Sequence, residues 1–539
     1  MNIEDLKKIV KGEVRGDART LDAYSRDWSL FQVVPQVVVS PQNVDDIKAL
    51  VKFATENKTS LTARAAGTDM SGGPLTEGIV VDMMAHFNHI KEISDEYAVT
   101  EPGVYYRDFE KEVAKYGLLF PSYPASKSLC AIGGIVANNA GGEKSLTYGK
   151  TADYIREIKM ICGDGVENVF AKTTPEGIGN EYSKKIFDLI NKNYDLIQSQ
   201  KPQVHKNSAG YALWDVWHRD TDIIDMTRLI TGSQGTLGII TEATINLVRP
   251  KEHSALLVMM IHKKHFSQLG DIILKTLEHK PESLESYDDH TFEVAVRYLP
   301  GMIKSMGAGS LLSLGWKFLP ELWMTITGGL PKLTLVAEFT GDSEDEIYKK
   351  ARRAEVDLKP FGIKTHIAKD DTEENKYWTI RRQSFKLLTD HSKGQRTVPF
   401  IDDIVVNPEY LPEFLPKLEA IMSHYDLTFT IAGHAGDGNF HIIPLDKIGD
   451  EKLKTIVPEL SEKVFDLVAQ YHGSLTGEHN DGLVRTPYLG KMFNPEMLAL
   501  FAEVKTIFDP NNIFNPGKKV GETLAYEVKH IDLDPTRHW

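Results

Sequence analysis

The sequence predicts an α+β fold in two or three domains. At 539 residues the chain is longer than one ordinary hydrophobic core serves. Up to about residue 250, strand-like β-branched runs alternate with helix signals, the pattern of an α/β layer. Beyond it a strand–helix–strand pattern occurs twice, the signature of a split, ferredoxin-like layer with helices over an antiparallel sheet.

Each element has a local reason. Gln36-Val37-Val38-Val39-Ser40 is a short β-branched run and reads as a strand. Asn43 then caps a helix, with Asp45 and Asp46 in its first turn and Ile47, Leu50, Val51 and Ala54 on one face. Gly78-Ile79-Val80-Val81-Asp82 reads as another strand. In the second half, residues 255–261 predict a strand, 265–279 a helix and 283–287 a strand. Residues 333–339, 343–358 and 363–367 repeat that order. Helices follow at 409–424, 451–471 and 495–508. The last has Asn494 as cap, Pro495 at the first helical position and Glu496 behind it.

Between the two β-α-β units lies an apolar insert, residues 301–331, which includes Leu311, Trp316, Phe318 and Trp323 and is broken by Pro320 and Pro331. Two readings stand for it: a lid or extra core layer, and an amphipathic patch for a membrane surface or partner subunit.

Composition narrows the function classes. An apolar fraction of 41% and a charged fraction of 26% are those of a soluble globular chain. The net charge of −14 argues against a nucleic-acid partner, because phosphate contacts need a basic face. Only two cysteines, Cys130 and Cys162, point to a reducing, cytoplasmic setting. They also exclude a four-thiolate Fe–S cluster held by this chain alone. Met1-Asn2-Ile3-Glu4-Asp5-Leu6-Lys7-Lys8 has no apolar core of a secretion signal. No run of about 18 apolar residues suits a spanning helix.

The glycines of the first half cluster at 65–73, 132–149 and 232–238, between apolar runs, and read as tight loops. No G-x-G-x-x-G follows the first strand, so a Rossmann dinucleotide site lacks its main signal. Arg64-Ala65-Ala66-Gly67-Thr68-Asp69-Met70-Ser71-Gly72-Gly73 instead offers backbone N–H groups without bulky neighbours, as a loop around a pyrophosphate does. Taken alone it serves equally as a plain turn. The second loop, Cys130-Ala131-Ile132-Gly133-Gly134-Ile135-Val136-Ala137-Asn138-Asn139-Ala140-Gly141-Gly142, is poor in bulk. The third, around Gly232-Ser233-Gln234-Gly235-Thr236, sets a hydroxyl and an amide between β-branched runs. Three such loops together are not accidental turns.

Further on, Gly433-His434-Ala435-Gly436-Asp437-Gly438-Asn439-Phe440-His441 joins two apolar runs and predicts a β-hairpin with an Asp-Gly-Asn turn. A hairpin there brings His434 and His441 across from one another, where two imidazoles suit a divalent metal or a purely structural pair. In Gly473-Ser474-Leu475-Thr476-Gly477-Glu478-His479-Asn480-Asp481-Gly482, Glu478 offers an anionic third ligand and His479 a general base, unless this is an ordinary surface loop. Trp378-Thr379-Ile380-Arg381-Arg382 lies on a predicted helix.

In this order the three loops resemble the FAD-binding domain of the vanillyl-alcohol oxidase superfamily. The C-terminal half resembles its D-lactate, glycolate and D-2-hydroxyglutarate dehydrogenase branch, and the likeness runs from about Val34 to Gly517. The resemblance implies a two-subdomain, PCMH-type FAD-binding domain over 1–250 and a ferredoxin-like substrate or cap domain over 251–475. A C-terminal segment, 476–539, returns to complete the flavin site. Arg64, Ala66, Gly67, Thr68, Asp69, Met70, Ser71 and Gly72 then hold the pyrophosphate. Pro124, Ala125, Ser126, Gly133, Gly134, Asn138 and Gly142 line pyrophosphate and flavin, Gly235 and Ile240 cover the adenosine end, and Asn515 joins the cofactor set. Relatives often carry Glu where this chain has Gln234, a mild departure. No histidine stands where some members tether the flavin, so non-covalent FAD is expected.

The same resemblance implies a divalent cation, zinc, manganese or iron, on His434, His441 and Glu478, with His479 as base. It gives Arg381 the substrate carboxylate, which a guanidinium fork grips better than an ammonium, and leaves Arg382 as a candidate surface residue. Some 2-hydroxyglutarate enzymes place a lysine where this chain has Pro399-Phe400-Ile401-Asp402-Asp403, which leaves the hydroxy acid open. The expected activity is FAD-dependent oxidation of a small D-2-hydroxy acid, of D-lactate or D-2-hydroxyglutarate class, with hydride transfer to flavin N5. The electrons go to a separate acceptor: an Fe–S subunit, electron-transfer flavoprotein, quinone or cytochrome. Glu478-His479-Asn480-Asp481-Gly482-Leu483-Val484-Arg485-Thr486-Pro487 resembles longer proteins fused to an Fe–S domain, which supports such a partner. A homo-oligomer is expected, in the cytoplasm, with peripheral contact at the inner face of the membrane left open by the insert. The rival readings are an O2-using alcohol oxidase and a flavin-bearing electron-transfer subunit.

Overall fold

The structure is a computed structural model and describes residues 3–289, 331–391, 395–447 and 449–534. The apolar insert at 301–331 lies outside the described residues, Pro331 excepted. The chain divides into two compact units. One is built from residues 3–250 and 451–532, the other from 251–450 and the chain after 532.

The first unit begins with a small sheet. Val37–Ser40, Ile79–Asp82 and Leu61–Arg64 lie parallel, and Glu13–Arg15 joins antiparallel at the edge. Every residue of Val37–Ser40 and Ile79–Asp82 is buried, as expected of parallel strands covered on both faces. The helix Val44–Asn57 connects two of them. Asn43 caps it by accepting the Asp46 N–H at 3.1 Å. Its predicted face, Ile47, Leu50, Val51 and Ala54, packs on Val37, Val39, Ile79 and Val81.

The rest of the first half departs from α/β alternation. Ile90–Ile93, Tyr97–Thr100, Ile239–Asn246, Ile155–Ile161, Glu167–Thr173, Ile223–Asp225 and Trp217–His218 form a second sheet in that spatial order. Every neighbouring pair in it is antiparallel. The helices Tyr106–Ala114, Glu181–Lys192 and Pro495–Phe508 bury Phe109, Ile186, Phe501 and Phe508 in its core, with Ile158, Phe170 and Ile245. The helix Leu453–Gln470, grouped in sequence with the cap domain, belongs to this first unit. It buries Val457, Leu460, Val464 and Phe465, and the Phe465 ring meets Tyr488 edge-on at 5.1 Å.

The second unit carries both predicted β-α-β patterns. His253–Ile261, helix Leu269–Leu277 and Ser283–Asp288 form the first; Leu333–Gly341, helix Glu344–Leu358 and Lys364–Ile367 form the second. Their strands lie in the order fourth, first, third, second, all antiparallel, which is the ferredoxin-like arrangement. The sheet continues through Thr428–His434, Asn439–Lys447 and Gln395–Thr397, with Ile404–Val405 also on Asn439–Lys447. Strand alternation sends Leu256 and Val258 to a face where the helix Asp371–His391 lays Tyr377, Trp378 and Ile380.

Candidate active site

In the first unit the three glycine loops and the returning chain tie into one hydrogen-bonded knot. Asp69 accepts from Ser71 Oγ at 2.9 Å, from the Gly73 N–H at 2.5 Å and from Asn138 Nδ2 at 3.0 Å. Gln234 Nε2 donates to Ser71 Oγ at 3.2 Å and to Asn138 Oδ1 at 3.4 Å, and its Oε1 accepts the Gly482 N–H at 2.9 Å. An amide can both donate and accept, so the Gln234 departure is absorbed locally. Asn515 Nδ2 donates to the carbonyls of Gly73 and Gln234 at 2.9 and 2.7 Å. Asn480 Nδ2 does the same for Asn138 and Gly232, at 3.1 and 2.9 Å.

Partly exposed in and around this knot are Ala65, Ala66, Gly67, Thr68, Asp69 and Met70, then Gly133, Gly134 and Asn138, then Gly235 and Ile240, most of them small. The two adjacent glycines do different work. A Cβ on Gly133 would strike Pro102 at 2.6 Å, so that glycine serves helix packing. A Cβ on Gly134 would meet only Ala65 Cβ, at 3.8 Å, so bare backbone there borders open room. A cradle of this kind fits an extended dinucleotide, whose phosphates need close backbone donors.

Other predicted residues are placed less directly. Arg64 turns back, donating to the carbonyls of Tyr24 and Arg26 at 3.0 and 2.7 Å and lying 5.2 Å over the Tyr24 ring. Pro124, Ala125 and Ser126 form a tight turn against which Gly142 closes; a Cβ there would sit 3.4 Å from Pro124 Cα. Ala125 is exposed.

The segment around Glu478 and His479 is clamped by buried cations that sequence reading missed. Lys150 Nζ donates to the Gly477 carbonyl at 2.6 Å. Arg485, fully buried, donates to the carbonyls of Leu475 and Asn480, both at 3.0 Å. Lys519 pairs with Asp481 at 2.9 Å, and Lys206 Nζ lies 3.4 Å from Glu478 Oε2. Buried charges are costly unless paired, so these contacts hold the loop in one shape. Nothing local in the sequence distinguishes these cations from surface ones. Glu478 is buried against the second glycine loop, where a Cβ on Gly141 would lie 3.0 Å from its Oε2. His479 is half-exposed, its Nε2 3.8 Å from Glu478 Oε1.

In the second unit, His434 and His441 are not opposite each other. A one-turn helix at Ala435–Asp437 sets His434 against Asn439, and His441 against Ala432. The two imidazoles are diagonal neighbours instead, centroids 5.3 Å apart and planes at 88°. His434 Nδ1 meets Glu285 Oε1 at 2.7 Å. Arg381 brings Nε and Nη2 to Glu285 Oε2, each at 3.0 Å. Facing that cation Glu285 is the acceptor and His434 Nδ1 the donor, and in the neutral ring this leaves the lone pair on Nε2, the form that ligates a metal. Two imidazoles with a carboxylate beside them are donors of the kind a divalent cation takes. Arg382 is exposed and stacks 4.6 Å over Trp378, while Arg381 is buried. Asp403, absent from the predicted set, is fully buried with φ +66°, accepts from Asn439 Nδ2 at 3.0 Å and has a carboxylate oxygen within 4.8 Å of a His441 nitrogen.

Comparison with known proteins gives the family and the fold type. Residues 35–168 match the FAD binding domain family, and residues 253–519 match the C-terminal domain of FAD linked oxidases. The chain is 27% identical over 541 residues to the D-2-hydroxyglutarate dehydrogenase of Escherichia coli (strain K12), covering 95% of this chain and 51% of that protein. It is 28% identical over 526 residues to the D-lactate dehydrogenase of Archaeoglobus fulgidus, covering 96% and 99% of the two chains. It thus spans about half the length of several D-2-hydroxyglutarate dehydrogenases it matches and nearly all of the D-lactate dehydrogenase. The fold is of vanillyl-alcohol oxidase type: 4-ethylphenol oxidase from Gulosibacter chungangensis superposes with a TM-score of 0.69 at 15% identity, over 96% of both chains. With an FAD-binding domain followed by the C-terminal oxidase domain, the chain belongs to the FAD-linked oxidases, in the branch whose members are named D-lactate and D-2-hydroxyglutarate dehydrogenases.

Proposed function

We propose that the protein oxidises a small D-2-hydroxy acid to the 2-oxo acid, with non-covalent FAD, and passes the electrons to a separate acceptor. The observation that carries this reading is the gathering of Arg381 and His434 on one buried carboxylate, Glu285, in a chain that has an FAD-binding domain. The names of the relatives support the substrate class.

In this reading Arg381 holds the substrate carboxylate through its planar fork. His479 takes the hydroxyl proton as general base. His434, His441 and Glu478 hold a divalent cation, zinc, manganese or iron. When bound, FAD supplies the hydride acceptor, N5, and the cation supplies Lewis acidity at the 2-hydroxyl. The half-exposed small residues from Ala65 to Met70, with Gly133, Gly134, Asn138 and Gly235, bind the cofactor through backbone and exclude side-chain bulk from it. The acceptor is an Fe–S subunit, an electron-transfer flavoprotein, a quinone or a cytochrome. The two thiols, free and buried, support a reducing cytoplasmic setting. Among the described residues no helix is long and apolar enough to cross a membrane.

The test is anaerobic mixing of the purified flavoprotein with D-lactate, D-2-hydroxyglutarate and their L-forms. Bleaching of the flavin band by a D-form alone is the expected result. Bleaching by none of them overturns the dehydrogenase reading in favour of an electron-transfer subunit. Rapid reoxidation by O2, faster than by an artificial dye, turns it into an oxidase.

A further inference from the structure

Glu285 has no role in the scheme above, yet it touches two of that scheme's residues. It lies on Ser283–Asp288, one position before Ser286, which pairs with Gly433 of the histidine hairpin. Only 1% of it is exposed. Its two oxygens divide the work: Oε1 meets His434 Nδ1 at 2.7 Å, and Oε2 takes Nε and Nη2 of Arg381 at 3.0 Å each. A buried carboxylate is costly to desolvate and is retained where its partners compensate it.

We propose that Glu285 is a positioning residue that serves two ends of the site at once. At one end it accepts the Nδ1 hydrogen of His434, which fixes the ring and keeps the lone pair on Nε2 for a divalent cation. At the other it holds the guanidinium plane of Arg381 at the angle from which the fork meets the substrate carboxylate. Carboxylate–histidine pairs behind a metal commonly change affinity about 10- to 100-fold when broken. A fork held by a hydrogen bond and an ion pair to one oxygen loses its orientation when that oxygen goes.

The inference rests on the proposed metal and substrate roles, and the experiment separates the two. FAD-loaded wild type, Glu285→Gln and Glu285→Ala are stripped with a chelator and titrated with Mn2+ and with Zn2+ by calorimetry, with flavin absorbance as the check on folding. The expected result is tight binding by wild type and a 10- to 100-fold weaker site in Glu285→Ala. Glu285→Gln keeps its one oxygen for Arg381, which has no acceptor, and turns its amide N–H on His434 Nδ1, which moves the ring hydrogen to Nε2. It should therefore weaken cation binding about 10-fold or more, while Glu285→Ala, which also releases Arg381, should in addition raise KM for the hydroxy acid far more than it lowers kcat. A yellow, folded Glu285→Ala that binds cation as wild type does, or one with unchanged KM, overturns the role of Glu285 and leaves the metal reading standing. A wild-type holoprotein that takes up neither cation overturns the metal reading itself, and the Glu285 role with it.

Discussion

His479 stands half-exposed on a loop whose other members, Glu478, Asn480 and Asp481, are buried. The general base proposed above has to reach both substrate and proton sink, and among these residues His479 alone is not buried. His479→Ala should leave the protein yellow and cut the rate of flavin reduction by about 10²-fold in anaerobic stopped-flow; an unchanged rate removes it as the base. Asp27 is the opposite case. Burial first, and then the nearby Asp69 charge, push its carboxyl from 3.8 up to about 7. Between those values the folded state holds a proton that the unfolded state has lost, so stability falls as pH rises from 4 to 7 and the cost is complete at pH 8. Asp27→Asn keeps an acceptor for Ser29 and removes the charge. Urea midpoints should show it gaining on wild type between pH 5 and pH 8, on the order of a few kcal/mol. An equal difference at both pH values contradicts the assignment.

At the scale of elements, what is decided locally was legible. The Asn43 and Asn494 caps are where the side chains predict them, accepting the Asp46 and Met497 N–H groups at 3.1 and 2.8 Å. Both β-α-β units and the histidine hairpin form where strand and turn signals place them. The hairpin register was not legible, because the residue count of the turn depends on its backbone path. Ala435–Asp437 coils into a single helical turn and Gly438 takes φ +66°. That shift makes His434 and His441 diagonal rather than opposite. A Cβ on Gly438 would collide with the Val406 carbonyl oxygen. Gly438→Ala should therefore cost about 2 kcal/mol or more in urea unfolding, and weaken cation binding through the register; wild-type values for both would show that the turn tolerates a side chain.

At the scale of the molecule, hydrophobic period told strand from helix but not which core each element joins. The strands between residues 90 and 246 looked like α/β units and pair antiparallel in a seven-stranded sheet. The helix Leu453–Gln470 shows one apolar face in sequence, and that face suits either unit; packing on Tyr488 puts it in the first. The loop around Arg64 was readable as a backbone cradle, but the Arg64 side chain turns to the carbonyls of Tyr24 and Arg26, residues about 40 positions earlier.

The order of the glycine loops, the caps, the β-α-β patterns and the histidine and carboxylate candidates follow from the residues themselves, because each depends on neighbours within a turn or a strand. The pairing of Glu285 with His434 and Arg381, the clamping of residues 475–481 by Lys150, Arg485 and Lys519, and the closing of the cradle by Asn515 were decided only in three dimensions. Each joins groups about 100 to 440 positions apart or picks one cation among many. Partner choice at that distance is set by which sheets stack and which charges must be compensated on burial.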